Sequence, residues 1–326
     1  MHDIKWGIIG CGDVAERKSG PAFQRVPKST LVAVMRRDKE KAADFAKRHQ
    51  VPKWYGNAQE LINDSEVNAI YIATPPSSHE KYAIAALNAG KHVYLEKPMA
   101  MDSKSAQRIQ QIADASVGTL VVAHYRRALP MFIKIRDLLR EKVIGDISWV
   151  DIRMTQPLKS EIVADTEINW RLNSAISGGG LFHDLAPHQL DLMLYYFGVV
   201  EEAMGFSANH SHTSAADDQV SGIIKFTNGI NLRGIWDFAS DKGAEDICVV
   251  HGSTGKISFP FFGEKINVWQ AGINSTIPLP YPQYVQEPMI ALVVNHFLGR
   301  GPNPCPGEEA VEVMRLIDSF TQKENN

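Results

Sequence analysis

The 326-residue sequence predicts an α/β protein: an N-terminal doubly wound parallel sheet, followed by a second domain on a largely antiparallel sheet. Three observations carry this expectation. The length exceeds the roughly 150 residues that one hydrophobic core usually serves, so two domains are expected. The first third alternates short apolar runs with helical patterns, the mark of βαβ units. Past about residue 124 the apolar runs alternate with polar residues and are joined by tight turns, which signals antiparallel pairing.

In the first part, "KWGIIG", "LVAVM", "AIYIAT", "HVYLE" and "TLVVAHY" are rich in Val, Ile and Tyr without clean alternation, as strands buried on both faces are. Between them "KEKAADFAKRH", "SHEKYAIAALNAG" and "DSKSAQRIQQIADAS" have helical spacing. Asp38 is an N-cap, Asn57 with Glu60 and Ser77 with Glu80 are capping-box pairs, and Gly90 occupies a C′ position. Gly20-Pro21 is expected to split the first helix into two short pieces. After the helical "MFIKIRDLLREKV" come the strands "ISWVDIRMTQ", "VSGIIKFTNG", "INLRGIWDFA", "DICVVHG" and "GKISFP". "FTNGINLRG" is the strongest hairpin signal among them. A Pro-rich passage leads to the helix "YVQEPMIALVVNHFLG", and "EEAVEVMRLIDSF" closes the chain. The expected domains are 1–124 and 125–307.

Composition narrows the function classes. Apolar residues make up 44% and charged residues 22%, ordinary for a globular protein. A net charge of −3, with no Lys/Arg cluster, gives no footprint for nucleic acid. No run reaches the ~18 apolar residues that would span a bilayer, and the N-terminus shows no signal-peptide pattern. Cys11, Cys248 and Cys305 lack CxxC spacing, which argues against a zinc site or disulfide framework and for the reducing cytoplasm. Cys11 reads as a small apolar filler.

The chemistry is concentrated at strand ends. Gly10, Gly12 and Ala15 form GxGxxA directly after the first strand, with Asp13 and Val14 opening the helix that follows. Such glycines permit a tight turn and close backbone approach to a pyrophosphate at a helix N-terminus. Arg36 and Arg37 end the second strand, where an NAD site usually presents a carboxylate. Planar guanidinium groups suit a 2′-phosphate, so NADP is favoured over NAD. Thr74, Pro75 and Pro76 end another strand and would line the cofactor with backbone, with His79 in the helix start nearby. Glu96 and Lys97 end a further strand, which places Lys97 to exchange a proton with a substrate oxygen beside a nicotinamide.

In "GGGLFHDLAPHQLD", Pro187 is tolerated if its helix begins near His183 or Asp184, and Gly198 ends that helix. Asp184, His188, Asp191 and Tyr195 then share one face, costly to bury unless partners or a ligand satisfy it. His188 reads as a general acid/base oriented by Asp184, the helix N-terminus disfavouring imidazolium while the carboxylate favours it. The structural alternative is a helix cap and a core histidine. Asp191 reads equally as the partner of an arginine, and His183 should point away. Tyr125 and Arg126 in "HYRR", and Trp170 and Arg171 in "NWRLN", are candidate substrate donors, with surface-loop roles as the alternative.

Together "GCGDVA", "TPPSSHEKYAIAALNAGKHVYLEKPMA" and "GGGLFHDLAPHQLD" resemble the Gfo/Idh/MocA family. The resemblance implies a Rossmann domain, then a C-terminal α/β domain with a large open sheet, and a final helix (308–322) packing back on the first domain. It implies sugar or polyol substrates, homodimers or homotetramers through the open sheet, and often a cis Lys97–Pro98 bond. It also implies Lys97, Asp184 and His188 as the catalytic group of an NAD(P)-dependent dehydrogenase or reductase, Lys97 or His188 moving the proton as hydride passes between a secondary hydroxyl and nicotinamide. The departure is Arg36, where NAD-using members commonly carry an acidic residue. No metal, nucleic acid or membrane partner is expected. Two alternatives stay open: an NAD-dependent glycosidase with transient oxidation, and a non-catalytic nucleotide-sensing regulator.

Overall fold

The computed structural model describes residues 2–157, 170–240 and 243–321, with backbone alone at 17 and 18. The chain forms two compact units, Met1–Tyr125 with Pro282–Glu312, and Arg126–Tyr281 with Val313–Asn326.

The first unit is built on β1 (Ile4–Ile9), β2 (Ser29–Met35), β3 (Lys53–Tyr55), β4 (Ala69–Ile72), β5 (His92–Leu95) and β6 (Leu120–Val122), in the order β3-β2-β1-β4-β5-β6. Every pairing is parallel. β4 and β6 are buried along their whole length, which explains their unbroken apolar runs. β3 was not anticipated, because three edge residues are too few to show a period.

The first helix is divided at Gly20 into two short pieces, as expected, but without a gap between them. A π-helical turn over Ala15–Ser19 runs straight into α1 (Gly20–Phe23), and the Gly20 N–H donates to the Ala15 carbonyl five residues back. The widened turn makes room for the Pro21 ring, which would strike the carbonyl four residues earlier in a regular helix. Asp38 caps α2 (Lys39–Arg48) by accepting from Lys41 N at 3.1 Å. Asn57 caps α3 (Ala58–Asn63) through Gln59 N at 2.8 Å. The Ser77–Glu80 pair is no capping box: Pro76–Ser78 form a 3-10 turn, and α4 (His79–Asn88) starts after it. The Glu80 carboxylate instead holds Arg108 of α5 (Ser103–Ala115) at 2.5 Å.

The second unit carries α6 (Pro130–Arg140), α7 (Ser174–Ser177) and α8 (Gly180–Phe197) on one sheet. Its strands are β7 (Ile147–Thr155), β8 (Val200–Ala208), β9 (Gln219–Phe226), β10 (Asn231–Asp237), β11 (Glu245–Gly252), β12 (Gly255–Phe259), β13 (Lys265–Gln270) and β14 (Ile273–Pro278). They lie in the order β14-β13-β12-β11-β7-β10-β9-β8, antiparallel except for the β7–β10 pair. The Asn-Gly hairpin forms where expected, with Gly229 at φ 85° between β9 and β10. β8 was missed because its sequence "VEEAMGFSA" mixes two glutamates with apolar residues that face outward. β13 and β14 were missed as well, β14 being mostly exposed along its length.

The segment expected to return at 308–322 is shared between the two units. The segment grouped with the first unit begins at Pro282 and contains α9 (Glu287–Phe297). The closing helix, α10 (Gly307–Thr321), starts in that unit and counts with the second from Val313; residue 322 lies outside the described residues. The reason is a slot over two sheet glycines. The Phe320 ring lies where a Cβ on Gly222 would come within 2.5 Å of it and one on Gly205 within 2.9 Å. Ser319 Oγ also donates to the Ala203 carbonyl at 3.0 Å. Among the described residues no helix is long and apolar enough to cross a membrane.

Candidate active site

In a parallel sheet the strands end on one edge, and the first unit's candidate residues gather there. Gly10 sits at φ 95°, and a Cβ on it would come within 2.8 Å of the Thr74 methyl and 2.9 Å of the Ala73 carbonyl. The glycine turn is therefore pressed against the end of β4. A Cβ on Gly12, by contrast, would meet nothing within 4 Å. Protein packing does not demand a glycine there: the space that a side chain would take is open, which fits the close approach of a pyrophosphate. Asp13 is exposed and Val14 half-buried at the start of the helical run. Cys11 is buried, and burial pushes its thiol up to about 11, as an inert filler requires.

Arg36 lies beside this turn, its Nη1 donating to the Cys11 carbonyl at 3.4 Å. Arg37 is exposed and lines a cavity of about 330 Å³ with Asn57, Gln59, Lys81 and Tyr82. Lys81 escaped the sequence reading because only the placement of α4 brings it beside the end of β2.

Two further strand ends are tied together from behind. His79 is fully buried, with Nε2 2.7 Å from the Thr74 carbonyl and Nδ1 2.9 Å from the Pro98 carbonyl. Burial pulls its imidazole below the usual value, opposed by those carbonyls and the Glu96 carboxylate. Pro75 and Pro76 carry the chain into α4, with Pro76 buried. Glu96 is buried and accepts from Tyr71 Oη at 2.5 Å, Gln286 Nε2 at 2.7 Å and Lys97 N at 3.2 Å. Lys97 is half-buried, and its bond to Pro98 is cis. Tyr71 and Gln286, 25 and 190 residues away from Glu96, carried no sequence signal.

In the second unit α8 begins at Gly180, earlier than the His183–Asp184 start expected, so Pro187 lies inside the helix. The glycines explain it. Gly178 at φ 93° ends α7 and Gly180 at φ 74° starts α8, conformations that suit residues without a Cβ. Pro187 has no N–H for the helical ladder, and the packing of the largely apolar, buried helix around it offsets that loss.

The carboxylates of α8 are met by arginines. Asp184 accepts from Arg171 Nε at 2.9 Å, with the Arg171 guanidinium 4.6 Å over the Trp170 ring. Trp170 and Arg171 are thus assembled onto Asp184 rather than standing in a surface loop. Asp191 accepts a fork from Arg127, at 2.9 Å from Nε and 2.6 Å from Nη2, with side chains 1% and 4% exposed. That is the arginine partner the sequence allowed for Asp191. His188 is buried, its ring edge-on to Phe262 at 6.0 Å. His183 is buried over Gly179.

Tyr125 and Arg126 are likewise buried, not loop residues. Arg126 Nη1 donates to the Phe261 carbonyl at 2.6 Å and to Tyr281 Oη at 3.3 Å. Its guanidinium stands 4.2 Å from the Phe262 ring. Asp246 holds the same loop by accepting from Phe261 N and Phe262 N at 3.0 and 2.7 Å, and burial raises its carboxyl. Neither Arg127 nor Asp246 was singled out beforehand: nothing in their local sequence distinguishes them from solvated charges.

Comparison with known proteins matches both units. The model described as "Oxidoreductase family, NAD-binding Rossmann fold" matches residues 4–124, and the GFO/IDH/MocA C-terminal domain model matches residues 132–258. An oxidoreductase of Formosa agariphila is 47% identical over 317 residues, 97% of this chain and 98% of that protein. Among solved structures, a levoglucosan dehydrogenase in complex with NADH and levoglucosan has a TM-score of 0.86 at 20% identity, covering 98% and 96% of the two chains. A 3-ketoreductase from Actinomadura kijaniata in complex with NADP and TDP-benzene has a TM-score of 0.84 at 21% identity, covering 98% and 97%.

The buried Arg127–Asp191 fork makes a direct prediction. Arg127→Met strands a carboxylate in the core and should cost about 3–5 kcal/mol. The double replacement Arg127→Met/Asp191→Leu removes both charges and should recover more than half of that loss, measured as the urea-unfolding midpoint of the second unit.

Proposed function

This chain belongs to the GFO/IDH/MocA oxidoreductase family, and from that premise we propose that it moves hydride between NADP(H) and a secondary hydroxyl or carbonyl of a sugar or polyol. The observation that carries the reading is Gly12, a glycine kept where no protein atom requires one, on the edge where all the parallel strands end. The NAD(P)-binding family accounts for that bare backbone. The sugar class is supported by the fold likeness to an enzyme that carries levoglucosan.

Gly10, Gly12, Asp13 and Val14 would hold the pyrophosphate, and Arg36 and Arg37 the 2′-phosphate. Thr74, Pro75, Pro76 and Glu96 would line the cofactor through the turns they build. A bound nicotinamide supplies the acceptor or donor of hydride. Lys97, on a turn pinned by Glu96, takes the hydroxyl proton as the neutral amine in the oxidising direction and, as the ammonium so formed, returns it in the reducing direction. His188 in the second unit is the alternative proton-transfer group, four residues along α8 from an Asp184 that Arg171 holds in place. Tyr125, Arg126, Trp170 and Arg171 would shape the grip on substrate hydroxyls.

We assign a homo-oligomer contact to the outward face of the second sheet. Met204 and Ile223 pair across β8 and β9, Phe206 and Ile235 lie on the same face, and each of the four is about half exposed or more. Apolar residues so placed side by side mark an association surface.

Three measurements test these assignments. In single-turnover hydride transfer, Lys97→Ala or His188→Ala should slow the step by about 10²–10⁴-fold for the residue that moves the proton. A rate within tenfold of the parent removes that residue from the role. Arg36→Ala/Arg37→Ala should raise the Kd for NADPH about tenfold or more while leaving NADH little changed; equal weakening of both would refute 2′-phosphate recognition. In sedimentation velocity, Phe206→Glu/Ile223→Lys should give a monomer, and an unaltered mass would place the contact elsewhere.

A further inference from the structure

His79 opens α4 directly behind the Thr74–Pro76 turn, and its ring is 0% exposed. Nε2 stands 2.7 Å from the Thr74 carbonyl, at the end of β4. Nδ1 stands 2.9 Å from the Pro98 carbonyl, just past the end of β5. Both neighbours are carbonyl oxygens, which can only accept. A neutral imidazole has one N–H, so it would donate to one oxygen and press a lone pair against the other. Both contacts are satisfied together only when both nitrogens carry protons. Burial is the largest influence on the ring and pulls it below its usual value, opposed by the two carbonyls, the Glu96 carboxylate and the Met99 backbone. The two short carbonyl contacts are the geometric reason for holding both protons against that pull.

We propose that His79 is a positioning residue that donates from both ring nitrogens and so ties the Thr74 turn to the Pro98 turn, setting the cofactor-lining backbone and the Lys97 backbone as one piece. This rests on reading those turns as the cofactor site. It changes the role expected for His79 from the sequence: a fully buried ring presents no edge to a ligand and acts on the two turns instead. The turns come from different βα units; the β4–β5 pairing fixes their strands up to Ile72 and Glu96 N, and beyond that point His79 joins the turns. The imidazole does so through two short contacts, while Glu96 is anchored separately by Tyr71 and Gln286.

The first test needs no substrate. In cofactor-free protein labelled with ¹⁵N-histidine, long-range ¹H–¹⁵N correlation at pH 7 should show both His79 nitrogens protonated, the signal being assigned by its loss in His79→Gln. One protonated and one bare nitrogen would overturn the two-donor tie, whatever the enzyme reduces or oxidises. The second test reads the coupling. His79→Gln keeps one donor and His79→Leu none, so the Kd for NADPH and kcat should both worsen, about tenfold for Leu and less for Gln. A variant whose Kd rises while kcat holds would refute the coupling, and melting curves restrict the comparison to variants that fold. Should Leu fail to fold, the Gln variant carries the same comparison. Failure of Lys97→Ala to slow hydride transfer would remove Lys97 from the chemistry, yet leave the nitrogen protonation and the Kd to decide on His79.

Discussion

Because β1 pairs in parallel with both β2 and β4, and β4 in turn with β5, these strands end on one edge of the first sheet. Everything functional in that unit depends on this. Parallel strands cannot be joined by tight hairpins, so each end passes into a crossover, and the turns at those ends sit next to one another. Gly10 at φ 95° lets the first turn press on Ala73 and Thr74, and Arg36 then reaches the Cys11 carbonyl. A side chain at position 10 would push these turns apart. The π-helical turn after the glycines belongs to the same constraint, since it lets the helix continue past Pro21.

The second unit solves a different problem, that of placing charge inside a helix that is otherwise core. α8 carries two carboxylates among residues that are nearly all buried. Each is met by an arginine from outside the helix, Arg171 for Asp184 and Arg127 for Asp191. A buried ion pair gains little over a well-packed apolar pair, but half of one is costly. The two pairs are not equivalent: the Arg127 fork is sealed, whereas Asp184 keeps 14% of its side chain exposed. The first is sealed architecture, and the second keeps an edge open to solvent.

Local signals were legible where a short stretch settles the outcome. Asp38 caps α2, and Asn-Gly turns β9 into β10, because the partners lie within a few residues. Signals failed where distant packing overruled the local rule. Pro187 argued for a late helix start, but three consecutive glycines and a buried surround began α8 earlier. The Ser77–Glu80 pair gave way to a 3-10 turn in which Ser78 bonds to Thr74, leaving Glu80 to Arg108. β8 stayed hidden because its outward face is apolar, the reverse of the alternation that a half-exposed strand normally shows.

The sequence by itself determined the order and type of the main elements, the parallel first sheet and the positions of the strand-end residues. Hydrophobic period, glycine spacing and turn chemistry are properties of neighbours along the chain. Only the tertiary structure decided what those residues touch: Glu96 on Tyr71 and Gln286, Asp191 on Arg127, His79 between two carbonyls, Phe320 over two glycines. Apart from the His79–Thr74 contact, five positions apart, these join residues about 20 to 190 positions apart, and their energies depend on burial and direction, which no local pattern encodes.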